Sequence, residues 1–219
     1  MTRRRDIALA ALLALVLVTV ALIAVWMRGT GPLPAYSAVS TQPRGAGALA
    51  EWLVALGYDV ATDPASRFEP PNADEVLVVL EPIQVFTDQE WLTLEQSLKA
   101  IGGRVLIVGD GLTADLVMGH FGYSLGTTKQ PVEAALPVFA APVFERAEVE
   151  VATLIGQRPG AAPLLVAGGE PAAVEFALGK GSVTLSTTIA AFSNKGLRDP
   201  DQARLVLNLV TATRPARVR

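Results

Sequence analysis

The chain has 219 residues, 51% of them hydrophobic and 18% charged, with a formal net charge of −3. A mildly acidic chain lacks the basic field that draws nucleic acid, so nucleic-acid binding is set aside. Zero cysteines exclude disulfides, thiolate catalysis and thiolate metal sites together, and the lone histidine, His120, excludes a histidine-rich metal site within one chain.

From Ile7 to Met27 runs an apolar stretch with no charge and only Thr19 as a polar interruption. A helix of that length spans roughly 30 Å, the thickness of a bilayer core, so residues 7–27 are expected to be a transmembrane helix with the lipid bilayer as partner. A cleaved signal peptide has a shorter apolar stretch and a small-x-small cleavage site, which Arg28-Gly29-Thr30-Gly31-Pro32 does not offer. Arg3, Arg4 and Arg5 precede the stretch while Arg28 alone directly follows it, and basic residues near a span stay on the cytoplasmic side. Residues 1–6 are therefore expected in the cytoplasm, and the chain beyond a linker at 28–35 outside it.

Residues 36–213 are expected to form one α/β domain, with a basic tail at 214–219. A short strand at Tyr36–Val39 leads to a helix over Arg44–Leu56, whose Ala46, Leu49, Leu53 and Leu56 share one face and which Gly57 stops. Tyr58–Ala61 reads as a strand, and Val76–Leu80 as a strand covered on both faces. Thr87-Asp88-Gln89-Glu90 is a capping box for a helix with Trp91, Leu94, Leu98 and Ile101 on one stripe, ending at Gly102-Gly103. Arg104–Val108 is the next buried strand, and a short helix follows near Thr113–Met118. Strands are then expected near Val149–Ile155, Pro163–Ala167, Ala172–Leu178 and Ser182–Ser186, the last three set off by glycine turns and so antiparallel. Asp199 caps a final helix that runs to about Ala212. The expected fold class is α/β: a mixed, largely parallel sheet flanked by helices and preceded by one transmembrane helix.

Several segments resemble the bacterial family known as domain of unknown function 4350. They are Tyr36-Ser37-Ala38-Val39-Ser40 with Pro43-Arg44-Gly45-Ala46, Leu49 through Tyr58, Gly179-Lys180-Gly181-Ser182-Val183, and Phe192-Ser193-Asn194-Lys195-Gly196-Leu197. The resemblance implies a flavodoxin-like, class I glutamine amidotransferase-like fold behind a membrane helix in the bacterial inner or plasma membrane. It also implies neighbouring MoxR-type AAA+ ATPases and other membrane proteins as partners. Longer relatives carry a second span and a cytoplasmic tail, which this sequence does not show.

Amidotransfer needs a thiolate with a histidine and a carboxylate, so the absence of cysteine excludes it. Gly45-Ala46-Gly47-Ala48-Leu49-Ala50 fits GxGxxA, but Ser40–Arg44 separate it from any strand, and a dinucleotide fingerprint needs its first glycine directly after one. His120 with Asp110 or Asp115, recruiting Ser124, is a formal proton-transfer pair, and two of Glu81, Asp110 and Glu133 would serve a carboxylate-dependent hydrolase. The spacing recommends neither. Loops at the carboxyl ends of strands form the ligand crevice of a wound sheet. Ser40, Arg44, Glu81 and Asp110, which follow predicted strands, and Asn194, in the loop before the last helix, are the ligand-binding candidates. No catalytic residue, metal ligand or cofactor is expected. The reading is a non-catalytic, membrane-tethered extracytoplasmic interaction or ligand-sensing domain, with a carboxylate-dependent hydrolase or a degenerate amidotransferase-like small-molecule binder as alternatives.

Overall fold

The computed structural model describes residues 16–19, 33–62, 68–126, 130–135, 144–211 and 217–218. The chain divides into two units, residues 1–34 and 35–219. In the first, residues 16–19 are helical, and the rest of the expected span at 7–27 lies outside the described residues. Among the described residues, no helix is long and apolar enough to cross a membrane.

The second unit contains helices α1 (Gly47–Ala55), α2 (Asp88–Ala100), α3 (Leu112–Gly119) and α4 (Pro200–Thr211). Its main sheet holds β1 (Asp59–Val60), β2 (Glu75–Leu80), β3 (Arg104–Val108), β5 (Gln130–Ala134), β6 (Arg146–Val151), β8 (Ala162–Ala167), β9 (Glu170–Leu178), β10 (Gly181–Ser186) and β11 (Arg217–Val218). Their order is β1-β11-β2-β3-β10-β9-β8-β5-β6, while β4 (Tyr123–Leu125) and β7 (Leu154–Gly156) form a separate antiparallel pair.

Alternation along the central strands divides the core into two layers. Val76, Leu106 and Val108 join Leu49 and Leu53 of α1 and Leu205, Val206 and Leu209 of α4 in one layer. Val105 and Ile107 join Leu94 and Leu98 of α2 and Val117 and Met118 of α3 in the other. The capping box is present: Thr87 Oγ1 accepts from the Glu90 amide at 3.3 Å, and Glu90 Oε2 accepts from the Thr87 amide at 2.7 Å. Asp199 Oδ1 likewise accepts from the amides of Asp201 and Gln202 at the start of α4.

The expected largely parallel, helix-flanked sheet is corrected. The pairings β1–β11, β11–β2, β2–β3 and β3–β10 are parallel, but β10–β9, β9–β8, β8–β5 and β5–β6 are antiparallel. The antiparallel run of β8, β9 and β10 is the expected one, because turns at Gly168-Gly169 and Gly179, all with φ between 60° and 89°, reverse the chain too tightly for a helical crossover. The antiparallel ladder that they start is then extended by β5, which no sequence signal marked because Pro131 lies within it. A sheet half antiparallel does not have the flavodoxin-like arrangement that the resemblance implied. Tyr36–Val39 also differs from expectation. It forms turns rather than a strand, with the Tyr36 amide bonded to the Arg44 carbonyl and the Ala46 amide to the Ser37 carbonyl.

Arg104, on β3, has a side chain only 2% exposed. Its Nη1 donates to the carbonyl of Leu209 in the last turn of α4, and Nε and Nη2 both donate to Thr184 Oγ1 on β10. A buried cation at a helix carboxyl terminus meets the negative end of the helix dipole.

Candidate ligand crevice at the carboxyl ends of the parallel strands

Of the five candidates, Ser40 and Asn194 belong to a clamp around the start of α1. Ala46, in the N-cap position, has no side chain able to cap. Asn194 supplies one from 146 residues away: its Oδ1 accepts from the Ala48 amide at 2.8 Å. Its Nδ2 donates to the carbonyls of Ser40 and Gln42, at 2.8 and 2.7 Å. The buried Ser40 also accepts through its carbonyl from the Gly47 amide at 3.1 Å. A Cβ at Gly45 would collide with that Ser40 carbonyl, so the glycine is there for close backbone approach. The first amides of α1, which a phosphate would need, are thus taken by the protein itself.

Glu81 and Asp110 meet at the carboxyl ends of β2 and β3. Glu81 has φ 42°, its amide donates to the Val108 carbonyl at 2.7 Å, and its Oε2 accepts from the Asp110 amide at 3.0 Å. The Gly109-Asp110-Gly111 turn wraps this carboxylate so closely that a Cβ at Gly111 would strike Oε1. The carboxylate therefore lies beside the start of α3, where the helix dipole favours negative charge.

Tyr36 joins them. Its phenol pKa is raised above 10.0, first by partial burial and then by Asp110, with Glu81 adding to the rise and Arg44 opposing it. Arg44, Glu81 and Asp110 therefore all lie within electrostatic reach of one half-buried phenol. Tyr36 has φ 61°, and it and Glu81 are the non-glycine residues with positive φ among the described residues. For a tyrosine or glutamate this conformation costs on the order of 1–3 kcal/mol, and such strain concentrates at ligand and active sites.

The strand end of β10 borders the same region, since the Gly109 amide donates to the Ser186 carbonyl at 3.0 Å. Buried hydroxyls follow there, with Ser186 Oγ and Thr188 Oγ1 2.8 Å apart and Thr187 Oγ1 donating to the Ala152 carbonyl at 2.6 Å. Sequence reasoning missed Tyr36 and this Ser-Thr-Thr run. The position of the run, directly after a buried strand, was the available signal, whereas nothing in the sequence marks a left-handed tyrosine.

The other sequence candidates lie apart. His120 stacks on Trp91, ring centroids 4.0 Å apart, with Nε2 2.9 Å from Glu95 Oε1. Asp115 Oδ1 instead accepts from the Leu125 amide at 2.6 Å, so the His120–Asp115 pairing does not form. Ser124 Oγ donates to the Ile155 carbonyl, and Glu133 pairs with Arg146 at 3.4 Å. Among the described residues no cluster of acidic, histidine or cysteine side chains fits a metal ion.

The second unit is thus a mixed α/β domain with a polar crevice where its parallel strands end. The chain belongs to the DUF4350 family, "Domain of unknown function (DUF4350)", whose family model matches residues 38–210. No curated protein sequence matches it. Among solved structures it is similar to the mmIFT52 N-terminal domain, at 15% identity and a TM-score of 0.52, over 64% of this chain and 77% of that one. It is also similar to Cytoplasmic Protein STM1381 from Salmonella typhimurium LT2, at 14% identity and a TM-score of 0.44, over 63% of this chain and 71% of that one. The exo-beta-1,4-mannosidase Op5Man5 from Opitutaceae bacterium strain TAV5 matches at 13% identity and a TM-score of 0.43, over 65% of this chain but only 27% of the enzyme. At these identities the first likeness speaks to fold alone, and the other two carry no argument.

Proposed function

We propose that the chain is a non-catalytic, membrane-tethered ligand-sensing domain whose extracytoplasmic part binds a small ligand in the crevice of Tyr36, Arg44, Glu81 and Asp110. The carrying observation is the convergence there of the two strained residues, Tyr36 and Glu81, with exposed charges of both signs on Arg44 and Asp110. Strain held at one place in an otherwise regular fold is a mark of preorganised recognition. A non-catalytic role is favoured because Glu81 is committed to the Asp110 amide beside α3, and His120 is stacked on Trp91, away from both carboxylates' turn.

The tether rests on the sequence: the uncharged stretch at 7–27 and the arginines before it. It would keep the crevice outside the cytoplasm, so that a MoxR-type ATPase partner would be reached through the membrane segment or other membrane subunits. The test is a thermal-shift screen of the full chain in lipid nanodiscs against polar small molecules, repeated on Tyr36→Phe and Asp110→Asn. A ligand that stabilises the native chain and loses its effect in both variants supports the reading. Ligands whose effect survives both substitutions, or no ligand at all, would remove the crevice from consideration. Recovery of the full chain in the soluble fraction of cells would remove the tether.

A further inference from the structure

Beside the crevice, under α1, lies a pocket of about 130 Å³. Its walls are aliphatic apart from Thr62. Ala38, Ala46, Ala50 and Ala61 stand where bulkier side chains would fill the space, while Leu49 and Leu53 of α1 close it on the helix side. The pocket is not an enclosed void: it opens to solvent on one side.

The sheet beneath shows the same opening. Val78 and Leu80 of β2 are directly opposite Leu106 and Val108 of β3 on one face of the sheet. Leu106 and Val108 are 0% exposed, yet Val78 and Leu80 are only partly covered. Leu77 and Val79 on the other face of β2 are partly covered as well, so the strand is open on both faces and the pocket accounts for one of them. The size is close to that of an engineered apolar cavity of ~150 Å³ that admits benzene, a six-carbon molecule.

Tyr36, Arg44, Glu81 and Asp110 do not line the pocket, but three of its wall residues adjoin them along the chain. Ala38, Ala46 and Leu80 each lie within two residues of Tyr36, Arg44 and Glu81 respectively. A ligand seated in the pocket would therefore bring one end to the charged rim. That rim carries two carboxylates, Glu81 and Asp110, against one guanidinium, Arg44, a balance that suits a cationic end over an anionic one.

We infer that the pocket under α1 holds the hydrocarbon tail of a short-chain amine whose ammonium end lies in the crevice. The inference deepens the ligand-sensing reading and rests on it for the polar half alone, because the pocket is a separate feature. It makes the ligand an amphiphile of about six carbons rather than a purely polar molecule.

The test uses the full chain in nanodiscs of neutral phosphatidylcholine, followed by thermal unfolding, with n-hexylamine as probe and n-propylamine and hexanoate as comparisons. Hexylamine in tenfold excess over its dissociation constant is expected to raise Tm by about 3 °C, and the two comparisons to leave it unchanged. Ala50→Leu, which fills the pocket, is expected to raise Tm without ligand and to abolish the hexylamine shift. Leu80→Ala, which enlarges the pocket, is expected to move the preference from hexylamine to n-octylamine. Asp110→Asn is expected to weaken the response to hexylamine at least tenfold while preserving the preference for a longer over a shorter tail. Equal shifts with propylamine and hexylamine, or a hexylamine shift that persists in Ala50→Leu with no change of chain-length preference in Leu80→Ala, would overturn the pocket assignment and leave the crevice reading standing. A hexylamine response that Asp110→Asn leaves at full strength would instead remove the crevice and keep the pocket.

Discussion

The side-chain oxygen of Asn194 accepts a hydrogen bond from the backbone amide of Ala48 at 2.8 Å, so the first turn of α1 is capped from the far end of the chain. The same amide group ties down the Ser40 and Gln42 carbonyls through Nδ2. The loop that carries Tyr36 and Arg44 is therefore fixed by a residue before α4, which couples the crevice to the last third of the sequence.

Asn194→Ala removes all three bonds at once. The expected loss is about 2 kcal/mol of unfolding free energy, the size of a lost cap plus one net hydrogen bond. Asn194→Asp keeps an acceptor for Ala48 but has no donor for Ser40 and Gln42, and is expected to lose about 1 kcal/mol. Urea denaturation of both variants checks this order, and an alanine variant as stable as the native chain would show that water replaces the clamp.

Arg104 tests the core in the same manner. Arg104→Leu leaves the Leu209 carbonyl and Thr184 Oγ1 without their donor and Glu175, still bonded to Ser182 Oγ, without the guanidinium at 3.4 Å. Removing one member of such a buried arrangement is expected to cost about 3 kcal/mol. Arg104→Lys, which keeps the charge but not the fork geometry, is expected to lose less. The check is chemical denaturation monitored by both near- and far-ultraviolet circular dichroism; a leucine variant of native stability would mean that apolar packing suffices there.

Glu95 gives an acid-side dependence. Hydrogen bonds from Lys99 and then His120 hold its carboxyl below the ordinary value of 4.5. A carboxylate with a lowered folded pKa stabilises the fold fully above its unfolded value, and the contribution is lost as pH falls through the folded one. Stability is therefore expected to drop below about pH 4.5. Glu95→Gln is expected to flatten that part of the curve, and His120→Gln to flatten it in part. A Glu95→Gln profile superimposable on the native one below this pH would assign the acid loss elsewhere.

The elements written in local pattern were legible in the sequence: the capping box at Thr87–Glu90, the buried runs of β2 and β3, and Asp199 before α4. What escaped is non-local or conformational. The antiparallel run of β8, β9 and β10 is legible in its glycine turns, but β5, which extends it, and β11, only two residues long, which enters between β1 and β2, join the sheet by pairing rather than by composition. The candidate site followed the same division. Glu81 and Asp110 stand out because they follow the strands β2 and β3, Arg44 because it follows a segment expected as a strand that forms turns instead, and Asn194 for its loop, where it serves as a clamp. Tyr36 was hidden because a left-handed tyrosine looks like any strand residue until its neighbours fix it.

The pairing of Tyr36 with Asp110 provides the alkaline counterpart and the most direct probe of the crevice. Burial, then the charge of Asp110, pushes the Tyr36 phenol above 10.0. A raised folded pKa gives stability that is fully present below the unfolded value and is lost as pH rises through the folded one, so the native chain is expected to weaken above about pH 10. Tyr36→Phe is expected to remove part of that loss. Asp110→Asn is expected to lower the Tyr36 pKa toward its ordinary value, and Arg44→Gln to raise it further, because the two charges act on the phenol with opposite sign. Phenolate absorbance during an alkaline titration reads these shifts directly, with Tyr36→Phe identifying the band and separating it from Tyr123, whose pKa burial also raises. Identical titrations of the native, Asp110→Asn and Arg44→Gln chains would mean that these charges do not converge on Tyr36, and the crevice would lose its electrostatic basis.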